Sequence, residues 1–333
     1  MPQRPIRIAI NGFGRIGRTL LRILMREGEV FDLVCINEIA PLATCAYLFQ
    51  YDSVFGPWPG TVTTCDGVLS VDGRAIPFQA ARDLSRLDLS GVDVVLECTG
   101  MAGARAVAER GLAAGARAVL VSGPSAEADV TLVLGANEGD LSDQRIISNA
   151  SCTTNALAPL ARVLDEAYGI VSGQMTTVHC YTGSQPTVDK PRDAPERSRA
   201  AALSMVPTTT SAQHQTGLVL PGLKGRIEAR AIRVPVASVS CIDLTVQTRV
   251  AVRVAEVNAL LRAAAVREGW LGWIEAPLVS SDLRGRPESL IVSGPQTSVS
   301  VGGLLRVFGW YDNEWGFSCR MLDMARLIGR RGR

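Results

Sequence analysis

The stretch 5–38, PIRIAINGFGRIGRTLLRILMREGEVFDLVCINE, decides the fold. PIRIAIN (5–11) is a short apolar run rich in isoleucine, the pattern of a strand buried on both faces. A glycine-rich turn follows. Beyond it Leu20, Leu21, Leu24 and Met25 recur at helical spacing, with Gly28 as the stop signal. FDLVCIN (31–37) is a second apolar strand, so the order strand–turn–helix–strand predicts a parallel sheet. The turn reads Gly12-Phe13-Gly14-Arg15-Ile16-Gly17, a G-x-G-x-x-G in its required context. Gly12, Gly14 and Gly17 permit a tight turn and close approach of a pyrophosphate, and the helix start offers free N–H groups to that anion. Glu38 closes the second strand, 21 positions beyond Gly17. A carboxylate there can take a ribose 2′-hydroxyl and repels a 2′-phosphate, so NAD is expected rather than NADP.

Outward from this unit the pattern continues. VDVVLECTG (92–100) is a buried strand, AGARAVAERGLAAGA (102–116) a helix and RAVLVS (117–122) another strand. Residues 51–82 differ: turn signals at Gly56, Pro57, Pro59, Asp66-Gly67 and Asp72-Gly73 separate short runs, which predicts an antiparallel insertion at the sheet edge. After about residue 150 longer strand-like runs appear, GQMTTVHCYT (173–182), RIEARAIRVP (226–235) and SVSCIDLTVQT (238–248). Helical segments at 153–168, 210–218 and 255–268 lie between them, the signature of an α+β second domain. The polar stretch 183–200 holds three prolines and is too long for an ordinary connector, so it reads as a functional loop. NEWGFSCRMLDMARLIGRR (313–331) is an amphipathic helix.

Composition narrows the classes. The chain has 333 residues, 47% hydrophobic and 20% charged, with a formal net charge of +2. That is too apolar for a disordered chain, and no apolar run is long enough to span a bilayer. The balanced charge and the lack of a basic tract argue against nucleic acid. Eight cysteines contain no C-x-x-C pair, and only two histidines accompany them. This argues against a disulfide framework and against a metal site, and it fits a reducing cytoplasm. The first residues, MPQRPIRIAING, carry no apolar targeting segment, so no signal peptide is expected.

The chemistry-bearing residues lie in the second half. In Ser148-Asn149-Ala150-Ser151-Cys152-Thr153-Thr154-Asn155, polar residues precede a run in which Leu157, Leu160, Ala161 and Leu164 form one helical face. Cys152 is therefore expected at a helix N-terminus, where the dipole stabilises a thiolate and lowers its pKa. Most of the other seven cysteines, Cys98 and Cys241 in apolar strands among them, read as small core residues. His179 lies in a strand-like run, where a lone histidine is more often structural; His214 falls on a polar helical segment. A histidine brought beside Cys152 by the fold could shuttle its proton. Thr153, Thr182, Ser184, Arg199, Thr208, Thr209, Thr210 and Arg233 supply hydroxyls and guanidinium groups of the kind that suit phosphate, or ordinary loop polarity.

Taken together, NGFGRIGR (11–18), SNASCTTN (148–155), TTVHCYT (176–182), RVPVASVSCIDLT (233–245) and WYDNEWG (310–316) closely resemble the phosphorylating glyceraldehyde-3-phosphate dehydrogenase family across nearly the whole chain. Glu38, VDVVLECTG and DNEWGFSCRMLD (312–323) also resemble its erythrose-4-phosphate dehydrogenase branch, whereas YTGSQ (181–185) keeps hydroxyls that this branch tends to lose. The resemblance implies an α/β chain: a Rossmann NAD-binding domain, 1–151, completed by a C-terminal helix, 315–333, and an α+β catalytic domain, 152–314, with a mixed or antiparallel sheet and an S-loop, 183–207. It implies Cys152 as nucleophile and His179 as general base. Arg15, Ile16, Thr99, Gly100, Ser122, Asn313 and Phe317 would join Gly12, Gly14, Gly17 and Glu38 in holding NAD. Thr182, Ser184 and Arg233 would bind the phosphate of an aldose phosphate. Ser151, Thr153, Thr210 and Ser211, with Arg199 nearby, would bind inorganic phosphate. A cytoplasmic homotetramer active in glycolysis is implied, with no resident metal. The erythrose-4-phosphate activity and a non-catalytic NAD-binding paralogue are the rival readings. The sequence departs from the family's pattern at Ala156, Ser211 and Phe317, where cysteine, glycine and tyrosine are usual.

Overall fold

A computed structural model describes residues 4–26 and 30–331. Two compact units partition the chain. The first comprises Met1–Leu132, Gly139–Ala150 and Ser318–Arg333, the second Val133–Glu138 and Ser151–Phe317.

The first unit holds strands β1 (Ile6–Asn11), β2 (Phe31–Asn37), β3 (Tyr51–Asp52), β4 (Gly56–Pro57), β5 (Val62–Cys65), β6 (Val68–Val71), β7 (Arg74–Gln79), β8 (Val94–Glu97), β9 (Ala118–Val121), β10 (Val130–Thr131) and β11 (Ile146–Ser148). Its helices are α1 (Arg15–Leu24), α2 (Leu42–Gln50) and α3 (Arg105–Ala113). Nine of the strands form one sheet in the order β10-β11-β9-β8-β1-β2-β7-β6-β5. Every pairing from β10 to β7 is parallel. Strand β1 is buried at five of its six positions, as a strand covered on both faces must be. The chain leaves β1 for β2 on one side and later returns to β8 on the other. Such a reversal opens a crevice at the carboxyl ends of the strands, where the glycine-rich turn after Asn11 and the Thr99-Gly100 turn after Glu97 begin.

The expected antiparallel insertion at 51–82 is present in two parts. β3 and β4 pair antiparallel as a separate two-stranded sheet, while β5–β6 and β6–β7 pair antiparallel at the edge of the large sheet, which β7 joins parallel to β2 through Ile36↔Phe78 and Asn37↔Gln79. Helix α1 starts at Arg15, inside the motif, with Gly14 as N-cap, and Met25 is its C-cap. The Gly28 stop signal lies outside the described residues. Helix α2 has no counterpart in the sequence reading, because LATCAYLFQ shows neither a clean apolar stripe nor a capping residue.

The second unit holds α4 (Cys152–Tyr168), β12 (Ile170–Cys180), β13 (Val206–Thr208), α5 (Ala212–Val219), β14 (Ile227–Val234), β15 (Ser240–Thr248), α6 (Val254–Arg267), β16 (Leu271–Ile274), β17 (Leu290–Ser293), β18 (Ser298–Val299) and β19 (Leu304–Tyr311). Its sheet runs β13-β14-β12-β15-β19-β17-β16. The sheet is mixed: β12–β14 and β16–β17 are parallel, the remaining pairs antiparallel. Alternation decides which side is core. Met175, Ile242, Leu244, Val246, Leu305 and Val307 pack with Leu157, Leu160 and Leu164 of α4 and Val257 and Leu261 of α6. Intervening residues, among them Asp243, Thr245 and Arg306, line an open groove on the sheet. Residues 183–205 are mostly irregular, with one short helical turn at Pro195–Ser198. Helix α7 (Trp315–Arg330) begins in this unit and continues into the first.

Candidate active site

The reactive thiol is placed by a helix start. Ala150 adopts φ +56°, which turns the chain sharply before α4. Ser151 caps the helix, its Oγ accepting from Thr154 N at 3.1 Å. Gln215 of α5 fixes this cap: its Oε1 accepts from Ser151 N (3.1 Å), Thr154 Oγ1 (2.8 Å) and Ser211 Oγ (3.3 Å). Because the Thr154 hydroxyl hydrogen goes to Gln215, Ser151 Oγ must donate to Thr154 Oγ1 across their 2.7 Å contact. Cys152 is then the first residue of the helix, half-buried, with its Sγ 3.6 Å from His179 Nε2.

Sheet register places the imidazole. His179 of β12 pairs directly with Arg233 of β14. The ring is buried at 5% exposure, and its Nδ1 lies 2.7 Å from the Cys180 carbonyl. Arg233 approaches the same carbonyl (3.1 Å) and Nδ1 (2.5 Å). The Cys180 carbonyl calls for a hydrogen on Nδ1, whereas Arg233 Nη1, a donor only, calls for a lone pair there; the first arrangement leaves the Nε2 lone pair facing the thiol, the tautomer a base requires. Tyr311 closes the back of the site. Its ring meets the imidazole edge to face, with centroids 6.0 Å apart. Its hydroxyl lies 2.9 Å from Thr153 Oγ1 and 2.8 Å from Thr177 Oγ1, and Thr177 Oγ1 donates to Cys241 O. That last bond sets the direction of the others: Tyr311 donates to Thr177, and Thr153 donates to Tyr311. One hydroxyl chain thus ties the residue after Cys152 to the strand carrying His179.

Electrostatics give a neutral resting pair. Burial, and secondarily the Arg233 charge, lower the basicity of His179 from 6.5 to about 3. Burial pushes the Cys152 thiol up, against the opposing pull of Arg233 and of hydrogen bonds from the first helical turn. This corrects the expected lowered thiol pKa: the helix start does favour the anion, but desolvation is the larger effect. Cys180 and Cys241 are also raised by burial, to about 12 and about 11. They differ from Cys152 in that, among the described residues, neither sulfur hydrogen-bonds to an imidazole.

The phosphate candidates divide. Thr182 Oγ1 and Ser184 Oγ are 2.9 Å apart. Ser184 and Arg233 line a cavity of about 300 Å³ together with Arg192 and Arg197. Arg199 instead pairs with Asp189 at 3.0 Å, both exposed. Arg197 donates to Thr208 and Thr209 in its place. Thr153 is buried with its hydroxyl engaged, whereas Thr210 and Ser211 stay accessible at the start of α5. Sequence reading missed Tyr311, Gln215, Arg192 and Arg197. For Arg197 a signal existed in the arginine-rich segment around Arg199; for Tyr311 and Gln215 only the fold supplies it.

In the first unit the three glycines of the motif play distinct parts. Gly12 has φ +94°, and a Cβ there would lie 2.7 Å from the backbone of Cys98 and Thr99. A Cβ on Gly17 would sit 2.2 Å from Gly12 O, whereas one on Gly14 would meet nothing within 4 Å. The open space above Gly14 is where a pyrophosphate can approach the start of α1, so the residues fit a dinucleotide. Gly12, Gly14, Glu38 and Thr99 line a cavity of about 250 Å³. Glu38 accepts from Phe13 N (2.8 Å) and Ala40 N (3.1 Å), which holds its carboxylate at the cavity wall. Gly100 has φ +74°, and Ser122 N donates to Glu97 O. Arg15 pairs with Asp52 and lies over the Phe55 ring, and Ile16 follows it in the first turn of α1. Asn313 and Phe317 are buried in the second unit. Among the described residues no cluster of His, Cys, Asp or Glu could hold a metal ion, and no helix is long and apolar enough to cross a membrane.

A dinucleotide-binding sheet in one unit and a thiol–imidazole pair in the other define an NAD-dependent oxidoreductase that can work through a covalent intermediate. Residues 6–105 match the family described as glyceraldehyde 3-phosphate dehydrogenase, NAD binding domain, and residues 151–313 match its C-terminal domain. The chain is 46% identical over 329 residues to a glyceraldehyde-3-phosphate dehydrogenase of Cereibacter sphaeroides, covering 98% of this chain and 99% of that one. It is 46% identical to one of Xanthobacter flavus, covering 98% and 99%, and 44% identical to one of Borreliella burgdorferi, covering 97% and 99%. The chain belongs to the glyceraldehyde 3-phosphate dehydrogenase family.

Proposed function

We propose that the chain oxidises D-glyceraldehyde 3-phosphate, with NAD and inorganic phosphate, to 1,3-bisphosphoglycerate. The 3.6 Å approach of Cys152 Sγ to His179 Nε2 at a helix start carries this reading. As the sulfur attacks the aldehyde carbon, its proton passes by way of Nε2 to the carbonyl oxygen, so that a thiohemiacetal forms on Cys152 and the imidazole is neutral again. The imidazole then takes the hydroxyl proton while hydride departs. Bound NAD supplies the hydride acceptor. The thioester left on Cys152 keeps the free energy of oxidation until phosphate attacks it. His179 is a weak base at rest, but the negative charge that develops on the reacting sulfur and oxygen favours a proton on Nε2 when it is needed.

Thr182, Ser184 and Arg233, aided by Arg192 and Arg197, are the proposed site for the phosphate of the substrate. Ser151, Thr153, Thr210 and Ser211 are the proposed site for the attacking phosphate, with Arg199 near it. Gly12, Gly14, Arg15, Ile16, Gly17, Glu38, Thr99, Gly100, Ser122, Asn313 and Phe317 are the proposed NAD contacts. The proposed domains are 1–151 with 315–333, and 152–314. A homotetramer in the cytoplasm completes the reading. Steady-state assays with glyceraldehyde 3-phosphate and erythrose 4-phosphate, each with phosphate present and absent, test it. The triose phosphate should give the higher kcat/KM and should require phosphate. A higher kcat/KM for the tetrose, insensitive to phosphate, overturns it.

A further inference from the structure

Cys180 addresses four neighbouring residues through three of its atoms. Its N–H donates to Ser240 Oγ at 3.1 Å. Its carbonyl accepts from Arg233 Nη1 and lies 2.7 Å from His179 Nδ1. Its thiol donates to Asn313 Oδ1 at 3.1 Å. Ser240 Oγ lies 3.3 Å from the same oxygen, and because it accepts from Cys180 N its own hydrogen is available to Asn313. The carboxamide oxygen of Asn313 is therefore held by two donors, while no group among the described residues accepts from its Nδ2. Rotating the amide by half a turn would set its NH2 against two donor hydrogens. A thiol donates only while protonated, and burial keeps this one protonated across the working pH range.

We infer that Cys180 is a positioning residue whose thiol, with the Ser240 hydroxyl, locks the Asn313 carboxamide with its oxygen inward and its NH2 presented as a donor to the nicotinamide carboxamide. The inference rests on the proposed role of Asn313 in holding NAD. A side chain that only filled space could be replaced equally well by any small residue. A donor can be replaced by serine and not by alanine.

The test uses the full-length chain, its Cys180→Ala and Cys180→Ser variants, and Ser240→Ala. Three quantities are read: KM for NAD, KM for the aldehyde, and the rate at which iodoacetamide alkylates Cys152. Cys180→Ala should raise KM for NAD by about fivefold, the effect of one lost neutral hydrogen bond. Its aldehyde KM and alkylation rate should stay at wild-type values, and Cys180→Ser should restore most of the loss. Ser240→Ala should shift KM for NAD in the same direction, and carries the test if Cys180→Ala fails to fold. Equal behaviour of the alanine and serine variants, or a loss shared by NAD and aldehyde, overturns the inference. If the wild-type chain makes no NADH from either aldehyde, it is the proposed reaction that fails. Equilibrium NAD binding by the same variants then decides on Cys180 alone.

Discussion

His179 shows how burial and chemistry pull against each other at a single residue. Its ring is enclosed because it shares a sheet face with Tyr311 and Arg233, and enclosure lowers its pKa from 6.5 to about 3. The stability consequence has a definite sign. The unfolded chain takes up this proton at a higher pH than the folded one, so folding stability falls as pH drops from about 6.5 towards about 3, and no further below that. His179→Asn should remove that component, and its melting temperature should decline less steeply than wild type on acidification below pH 6.5. The same variant should slow iodoacetamide alkylation of Cys152 near neutral pH and lower kcat by roughly 10²–10⁴-fold, the usual contribution of a positioned acid–base group. An unchanged alkylation rate would remove the pairing from the mechanism. Pattern alone showed His179 as one of two histidines, and only the family resemblance of TTVHCYT singled it out; the fold gives it a register partner 54 residues away, Arg233, and a sulfur 27 residues away.

At the scale of elements, the turn between β1 and α1 was legible because its determinants are local. Strand, glycines and helix follow one another within one stretch, and each has its own periodicity. The glycines can be separated by experiment. Gly14→Ala places a methyl group in open space, so the melting temperature should hold while NAD affinity falls. Gly17→Ala drives a methyl group into the carbonyl of Gly12, and should cost about 1–3 kcal/mol of stability as well. Thermal melts and NAD titrations of both variants check this; equal melting temperatures would mean that α1 is not packed as described. The start of α4 was legible for the same local reason, since Ser151 precedes an apolar helical face. The thiol pKa was not, because burial of the sulfur and the opposing Arg233 charge from β14 both depend on how distant strands pack around the helix start. Arg197 and Arg199 show the same limit: two arginines two positions apart are alike in sequence, and the loop turns one to Thr208 and the other to Asp189.

For the whole molecule, the change from short parallel strands to long strands near residue 150 was readable from pattern alone, and both sheets follow it. The return of the last helix to the first unit came only from the family resemblance, because nothing local in an amphipathic helix names its partner. Several contacts make it, among them two at its end. Arg117 donates to the carbonyls of Ile328 (3.1 Å) and Gly329 (2.8 Å), capping α7. A Cβ on Gly329 would stand 2.4 Å from the Ile6 side chain, so the helix rests against the first strand. A chain ended after Phe317 should therefore lose NAD binding, read by fluorescence titration; undiminished affinity would show that the sheet is complete without α7. A directional consequence follows for synthesis. The ribosome finishes every residue of the second unit before it makes Ser318. The unit begun first is thus the last that can close, and its opening strand must wait for α7 to be made before it is covered.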